Sequence, residues 1–417
     1  MNMNTTLIRK ILKNTDYPHP AGTAEEHVCA DYLLGVCRTY CENAHIEHFR
    51  IPAARPLSGE LYVDGRRIAC RAFASSEDAD VAGDLYFLHE YDRLSLEGCR
   101  GRIVIADGYP FHFQYEDIVH AGALALINYS GDAFGNGTSI EDRRHVTRPE
   151  KHVRKIPAVT IHARDALYLF THESRKAVLK IRAGKTEAES GNIVMDFPGK
   201  SGRFILCTAH YDSISGSHGS YDNMSGCLAL LDLAEKIREK ADELRCGLRI
   251  VLTSCEELGG EGVQEYTLRH ADEMKNCVLN VNVDMLGAMG AFRAVCEAGP
   301  EAAEYLKRWG ERRGVPMKVT EDVYSGDSDH LADGGIPAIS FTRFTTYMKT
   351  VAPFHDEADT PSILSIPVLA ADMDAVSSFT AELAVLENLP FTGCITEKMR
   401  EKLDVFLGRK REKEENG

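Results

Sequence analysis

Five residues able to bind a divalent metal follow one another through the second half of this chain: His210, Asp222, Glu257, Asp284 and His355. At least three come after an apolar, strand-like run. Phe204-Ile-Leu-Cys-Thr-Ala209 leads into His210, Leu248-Arg-Ile-Val-Leu-Thr253 into Glu256-Glu257, and Val278-Leu-Asn-Val-Asn-Val283 into Asp284. Open α/β sheets bind ligands in the crevice outside the carboxyl ends of their strands. A chain that repeatedly delivers carboxylates and imidazoles there assembles one polar site from distant pieces. Five ligands with one bridging carboxylate suit two Zn²⁺ ions about 3.5–4 Å apart, the spacing of two-metal hydrolases.

Taken singly, each of these positions has a plainer reading. In His210-Tyr-Asp212, residues two apart on a strand face the same side, so the Asp212 carboxylate can reach the imidazole. A metal-bound histidine gives its other ring N–H to such a partner, but a surface His–Asp contact fits equally well. Asp222-Asn223 precedes a helical pattern over 227–236, where Asp and Asn ordinarily act as caps. Glu256 and Glu257 place two carboxylates side by side at a strand end, which calls for a cation or a shared proton, or for full solvation. Asp284 follows a nearly continuous apolar strand, where a carboxylate is rarely left unpaired. His355 lies in a polar loop, the usual place of a surface histidine. Their ordered combination is what points to a metallo-hydrolase.

The elements that must position these residues are legible in the same sequence. From about residue 192, apolar runs alternate with helical patterns, as a mostly parallel sheet flanked by helices requires. An amphipathic helix is predicted over 24–40 from Val28, Tyr32, Leu33 and Val36. Between about 57 and 185 the texture changes to short β-rich runs with turn signals. The segment 131–155 reads as a loop, 397–407 as a helix and 408–417 as a charged, solvated tail. At 417 residues the chain suggests two domains. The β-rich stretch, 56–185, is expected to form a domain apart from 186–407.

A formal charge of −15 has the wrong sign for a nucleic-acid or anionic-membrane partner. No apolar run approaches the ~18 residues that suggest a membrane span. The start of the chain lacks a secretory h-region and cleavage site. Twelve scattered cysteines without a Cys-x-x-Cys pair read as reduced thiols in a cytoplasm. The histidines of the β-rich stretch (His112, His120, His145, His152 and His162) lack ligand spacing and receive no chemistry.

His210-Tyr-Asp-Ser, Asp222-Asn-Met-Ser-Gly, Glu256-Glu-Leu-Gly, Asn282-Val-Asp-Met-Leu-Gly, Ser328-Asp-His and Phe354-His-Asp-Glu-Ala-Asp-Thr together resemble the motifs of the co-catalytic dizinc peptidases, the family of leucyl aminopeptidases and glutamate carboxypeptidase. The likeness covers roughly 192–389. It implies that Asp222 bridges two zincs, that His210 and Asp284 complete one and that Glu257 and His355 complete the other. It further implies Glu256 as general base, Asp212 as the group orienting His210, and a cis peptide between Asp222 and Asn223. Between 56 and 185, Gly101-Arg-Ile-Val-Ile-Ala-Asp, Ala121-Gly-Ala-Leu-Ala-Leu-Ile and Ile156-Pro-Ala-Val-Thr-Ile resemble a protease-associated domain, and the resemblance implies that this stretch is an insert, with 1–55 and 186–407 forming one discontinuous catalytic domain.

The reaction implied is hydrolysis of the N-terminal residue of short peptides through a dizinc-bridged hydroxide and the Glu256 base. The motifs do not separate amino- from carboxypeptidases. Arg343 is the candidate binder of a substrate carboxylate, against its reading as an ordinary surface arginine. The same fold supports single-zinc glutaminyl cyclases, which the full ligand set argues against. It also supports receptors that have lost ligands, whereas none is lost here. One departure stands out: the family places Tyr before its last histidine ligand, and here that residue is Phe354. Tyr347, in the loop before the ligand, is the expected replacement donor to the oxyanion.

Overall fold

In a computed structural model, residues 3–51, 54–74, 76–147, 153–185, 188–345 and 351–411 are described. The chain forms two compact units. One comprises Met1–Ile51 and Glu189–Leu403, the other Pro52–Ala188 and Asp404–Gly417.

The first unit is built on an eight-stranded sheet. Its strands run in the order His45–Ile51, Ala188–Phe197, Gly247–Thr253, Phe204–His210, Cys277–Val283, Ala338–Phe344, Ala291–Cys296 and Lys318–Thr320. The middle four are parallel, and an antiparallel neighbour flanks them on each side. This is the mixed, mostly parallel sheet with flanking helices that the sequence predicts.

Residues of period two explain why the central strands are buried on both faces. Along Phe204–His210, Ile205, Cys207 and Ala209 join the large apolar cluster that includes residues of the helices Thr5–Asn14, Ala24–Cys37, Ser225–Arg238 and Ile366–Ala384. Phe204 and Leu206 point the other way, into a smaller cluster with Val263, Tyr266 and Leu331. The strand Gly247–Thr253 does the same, with Leu248, Ile250 and Leu252 on one side and Val251 on the other. Parallel pairing in the register His210 opposite Thr253 brings the carboxyl ends of these two strands level.

The Cys277–Val283 strand is less apolar than its sequence suggests at first sight. Asn280 donates to Thr208 Oγ1 at 3.1 Å, and Thr208 donates to Asn282 Oδ1 at 3.0 Å. Asn282 Nδ2 donates to Ser340 Oγ on the next strand at 3.4 Å, and Ser340 donates to Ser328 at 2.8 Å. These buried bonds tie three adjacent strands together just below the edge that carries the ligands, and polar groups buried without such partners are costly.

Glu297, fully buried after the Ala291–Cys296 strand, belongs to the same polar layer. Burial pushes its carboxyl up to about 7, partly offset by bonds from the Tyr324 amide and the Ser328 hydroxyl. The folded state therefore holds a proton here that the unfolded chain releases above about pH 4.5, so this group lowers stability as pH rises from about 4.5 to 7, by about 3 kcal/mol in all. Glu297→Gln removes that dependence. In metal-free protein, the melting temperature of the variant relative to wild type should rise by several degrees between pH 5 and pH 8. A difference that does not change with pH would refute the titration.

The second unit has its own eight-stranded sheet, in the order Arg66–Ile68, Ala54–Val63, Lys176–Lys185, Ala79–Leu88, Arg102–Ala106, Ala125–Ser130, Ala158–His162 and Cys70–Ala72. Alternation again assigns the side chains. Ile103 and Ile105 face one apolar cluster, and Val104 and Ala106 face a second that includes Tyr115 and Ile118 of the helix His112–His120. The described part of the charged tail is tethered, because Arg411 pairs with Asp117 at 2.8 Å. His145 and His162 make local backbone contacts, whereas His152 lies outside the described residues. No described helix is long and apolar enough to cross a membrane.

Candidate metal centre

Four side chains reach the level end of the sheet from three of its strands. His210 is the last residue of its strand, Asp284 follows Val283 directly, and Glu256 and Glu257 come three and four residues after Thr253. Asp222 and His355 arrive from loops. The result is a set of carboxylate and imidazole atoms arranged about one central group. Asp222 Oδ1 lies 3.1 Å from His210 Nε2, and Asp222 Oδ2 lies 3.2 Å from His355 Nε2. Asp284 Oδ1 is 3.6 Å from His210 Nε2, and Glu257 Oε2 is 3.0 Å from His355 Nε2.

Two triads with metal-binding geometry therefore share Asp222: His210 with Asp284, and Glu257 with His355. Four ligands about 2.0–2.1 Å from a tetrahedral Zn²⁺ stand about 3.3 Å from each other, and the separations here bracket that value. Asp284 Oδ1, which faces His210 in the first triad, is buried without a hydrogen bond, a costly state that a bound cation relieves. The donor set, nitrogen and carboxylate oxygen, is one zinc accepts. The residues fit two such ions.

Electrostatics point the same way. Burial disfavours the charged form of His210, yet the Asp212, Asp222 and Asp284 carboxylates raise its pKa well above the ordinary value. His355 is raised likewise against its burial, by Glu257 and Asp222. At Asp222 burial is outweighed by the two histidines, which hold its carboxyl below the usual range. Glu256 is pushed well up by burial, opposed by His210 and reinforced by Glu257 and Asp284. Without metal, protons on the imidazoles balance the crowd of carboxylates. Divalent cations would take the place of those protons.

The turn that carries Asp222 is held from several directions. The Asp222–Asn223 peptide is cis, as the resemblance implies. Asn223 Oδ1 accepts from the amides of Gly226 and Met285, and Asn223 Nδ2 donates to the Val283 carbonyl. Asn223 thus caps the helix Ser225–Arg238 and fastens it to the strand that ends in Asp284. A side chain at Gly226 would stand 2.4 Å from the Val283 carbonyl oxygen, which accounts for glycine there. Asp359, fully buried in the loop after His355, accepts the amides of Tyr221 and Asp222 on its two oxygens, at 2.7 and 3.1 Å. Cys255, Met285 and His355 adopt left-handed backbone with φ of 56–58°. Such strain at non-glycine residues is held only where surrounding structure enforces it, and here it brackets three of the ligand positions.

Asp212 meets His210 more closely through its main chain than through its carboxylate. The nearest group to His210 Nδ1 is the main-chain carbonyl of Asp212, at 3.0 Å, while its carboxylate stands 3.6 Å away. The strand stops at His210, so its two-residue alternation does not extend to Asp212. The carboxylate instead accepts the Glu256 amide at 3.2 Å and fixes the start of the Glu256-Glu257 segment. Glu256 itself lies 3.9 Å from His210 Nε2, at the face of the two triads.

Arg343 is neither a free carboxylate binder nor an ordinary surface residue. Its Nε and Nη2 grip both oxygens of Asp372 at 2.7 and 2.6 Å, and Nη1 donates to the Gly290 carbonyl. Phe354 packs edge-on against the His355 ring. Tyr347 lies outside the described residues. Sequence reasoning missed Tyr324, a buried residue whose hydroxyl donates to Asp284 Oδ2 at 3.0 Å. Its only signal was a position four residues before Ser328-Asp-His, in no motif.

The pattern of peptidase family M28 matches residues 192–380, the segment that holds every one of these ligands. That segment belongs to peptidase family M28. The chain is 26% identical over 406 residues to aminopeptidase YwaD of Bacillus subtilis, covering 93% of this chain and 86% of that protein. It is 24% identical over 374 residues to carboxypeptidase Q of Bos taurus, covering 82% and 77%. In fold it is similar to BSAP, a zinc aminopeptidase from Bacillus subtilis, with a TM-score of 0.74 at 22% identity over 91% of this chain and 95% of that one.

Proposed function

We propose that this M28 chain is a dizinc aminopeptidase that removes the N-terminal residue of short peptides. The observation that carries the reading is Asp222, whose two oxygens face two separate triads. His210, Asp284 and Asp222 would hold one zinc, and Glu257, His355 and Asp222 the other. When bound, such ions polarise a substrate carbonyl and lower the pKa of water toward neutrality.

The chain's own residues supply the rest. Glu256 is the general base: it accepts a proton from the attacking water and hands it to the departing amine. Its raised pKa suits that exchange, since burial beside Glu257 and Asp284 makes its carboxylate a better proton acceptor than a solvated one. Asp212 orients two members at once. Its carbonyl accepts the His210 Nδ1–H, which leaves Nε2 free as a ligand, and its carboxylate anchors the Glu256 amide. The acidic groups around the centre suit a free α-amine.

A carboxypeptidase reading draws on the likeness to carboxypeptidase Q. Against it, the candidate arginine is fully engaged with Asp372 and Gly290. We read the 56–185 segment as a protease-associated-like insert, on its motifs and its separate apolar clusters. The twelve free cysteines support a reducing, cytoplasmic setting. The deciding experiment sets aminoacyl chromogenic substrates beside N-blocked dipeptides and measures zinc per chain. Turnover of the free-amine set with two zincs is expected. Cleavage of blocked dipeptides alone would select the carboxypeptidase, and one zinc with cyclisation of N-terminal glutamine the cyclase.

A further inference from the structure

Among the described residues outside the five candidate ligands and Glu256, one side chain makes a direct hydrogen bond to a ligand carboxylate from a place no motif marks. Tyr324 lies between the strand Lys318–Thr320 and the helix Asp327–Asp333. Its ring stacks on Phe344, with centroids 6.0 Å apart and planes 21° apart. Its amide donates to the fully buried Glu297 at 3.1 Å. Held by the ring at one end and the backbone at the other, its hydroxyl meets Asp284 Oδ2 at 3.0 Å.

The two oxygens of Asp284 are thereby given different tasks. Oδ1 has no hydrogen bond and faces His210 Nε2 across the first triad, whereas Oδ2 is occupied by the phenol. Glu257, the corresponding carboxylate of the second triad, has no such arrangement, because its outer oxygen, Oε1, lacks any hydrogen bond. A hydroxyl donor on the outer oxygen restricts rotation about the carboxylate and favours coordination through the inner one alone. It also satisfies an anionic oxygen that would otherwise be buried and unpaired.

We propose that Tyr324 is a positioning residue for the first metal only, orienting Asp284 so that His210, Asp284 and Asp222 form a tighter site than they would alone. This rests on the dizinc reading above. Loss of an outer partner of a metal ligand typically lowers affinity about 10–100-fold.

The test is calorimetric titration of chelator-stripped full-length protein with Zn²⁺, wild type against Tyr324→Phe. The expected result is that one of the two dissociation constants rises about 10–100-fold while the other stays unchanged, and that added zinc restores activity to the variant. Phe344→Leu is the control for a merely structural role: it loosens the stacked ring, keeps the hydroxyl, and should lower the apo melting temperature without separating the two affinities. Identical titrations for Tyr324→Phe and wild type would overturn the proposal, as would equal weakening of both sites. A wild-type protein that takes up no zinc overturns instead the dizinc reading beneath it.

Discussion

Glu256→Gln will lower kcat by roughly 10²–10⁴-fold and leave two zincs bound. The amide keeps the size of the side chain and loses its ability to take a proton. None of the four short ligand contacts involves Glu256; its nearest approach to a ligand is 3.9 Å, at His210. KM should change little, because a base acts in the transition state rather than on substrate binding. Steady-state kinetics with metal analysis checks both halves. Near-normal turnover would remove Glu256 from the reaction. Loss of zinc would make it a ligand instead of a base.

Asp222→Asn is expected to have a still larger effect, because it strikes both triads at once. The carboxylate presents one oxygen to His210 and the other to His355. An amide offers one oxygen and one N–H₂ donor, so at least one triad then faces a hydrogen where a lone pair is needed. Zinc content should fall from two to one or fewer. Activity should drop at least as far as in Glu256→Gln, and the double variant should be no worse than Asp222→Asn alone, as holds for residues that act as a unit. Two zincs retained at full affinity would show that Asp222 does not bridge.

Much of the site can be read from the linear order of residues because each ligand sits in a short local context. Phe204–His210 and Cys277–Val283 are strands in which apolar residues and the terminal ligand adjoin, so the motif carries its own element with it. Asp222 is legible for another reason. Asn223, Ser225 and Gly226 are all required within four residues, as helix cap, turn bond and close approach to Val283.

Asp212 marks the limit of such reading. Whether its carboxylate or its carbonyl meets His210 depends on where the strand stops, and element ends are the least determined feature of a sequence. Arg343 shows a second limit. Its partner Asp372 is 29 residues on, in the helix Ile366–Ala384, and the bidentate pair forms only when that helix packs on the sheet.

The sequence by itself determined the ligand types, their order, the parallel strands that deliver them and the Glu256-Glu257 pair. These follow from side-chain chemistry and from alternation along a strand, which act over a few residues. Only the tertiary structure decided which candidate ligands share a triad, that the Asp212 carboxylate takes the Glu256 amide while its carbonyl takes His210 Nδ1, and that Arg343 is committed to Asp372. It alone brings the Tyr324 hydroxyl to Asp284 across 40 residues of sequence. Those outcomes depend on distances between segments whose approach is set by packing of the whole sheet and its helices, and no local pattern records them.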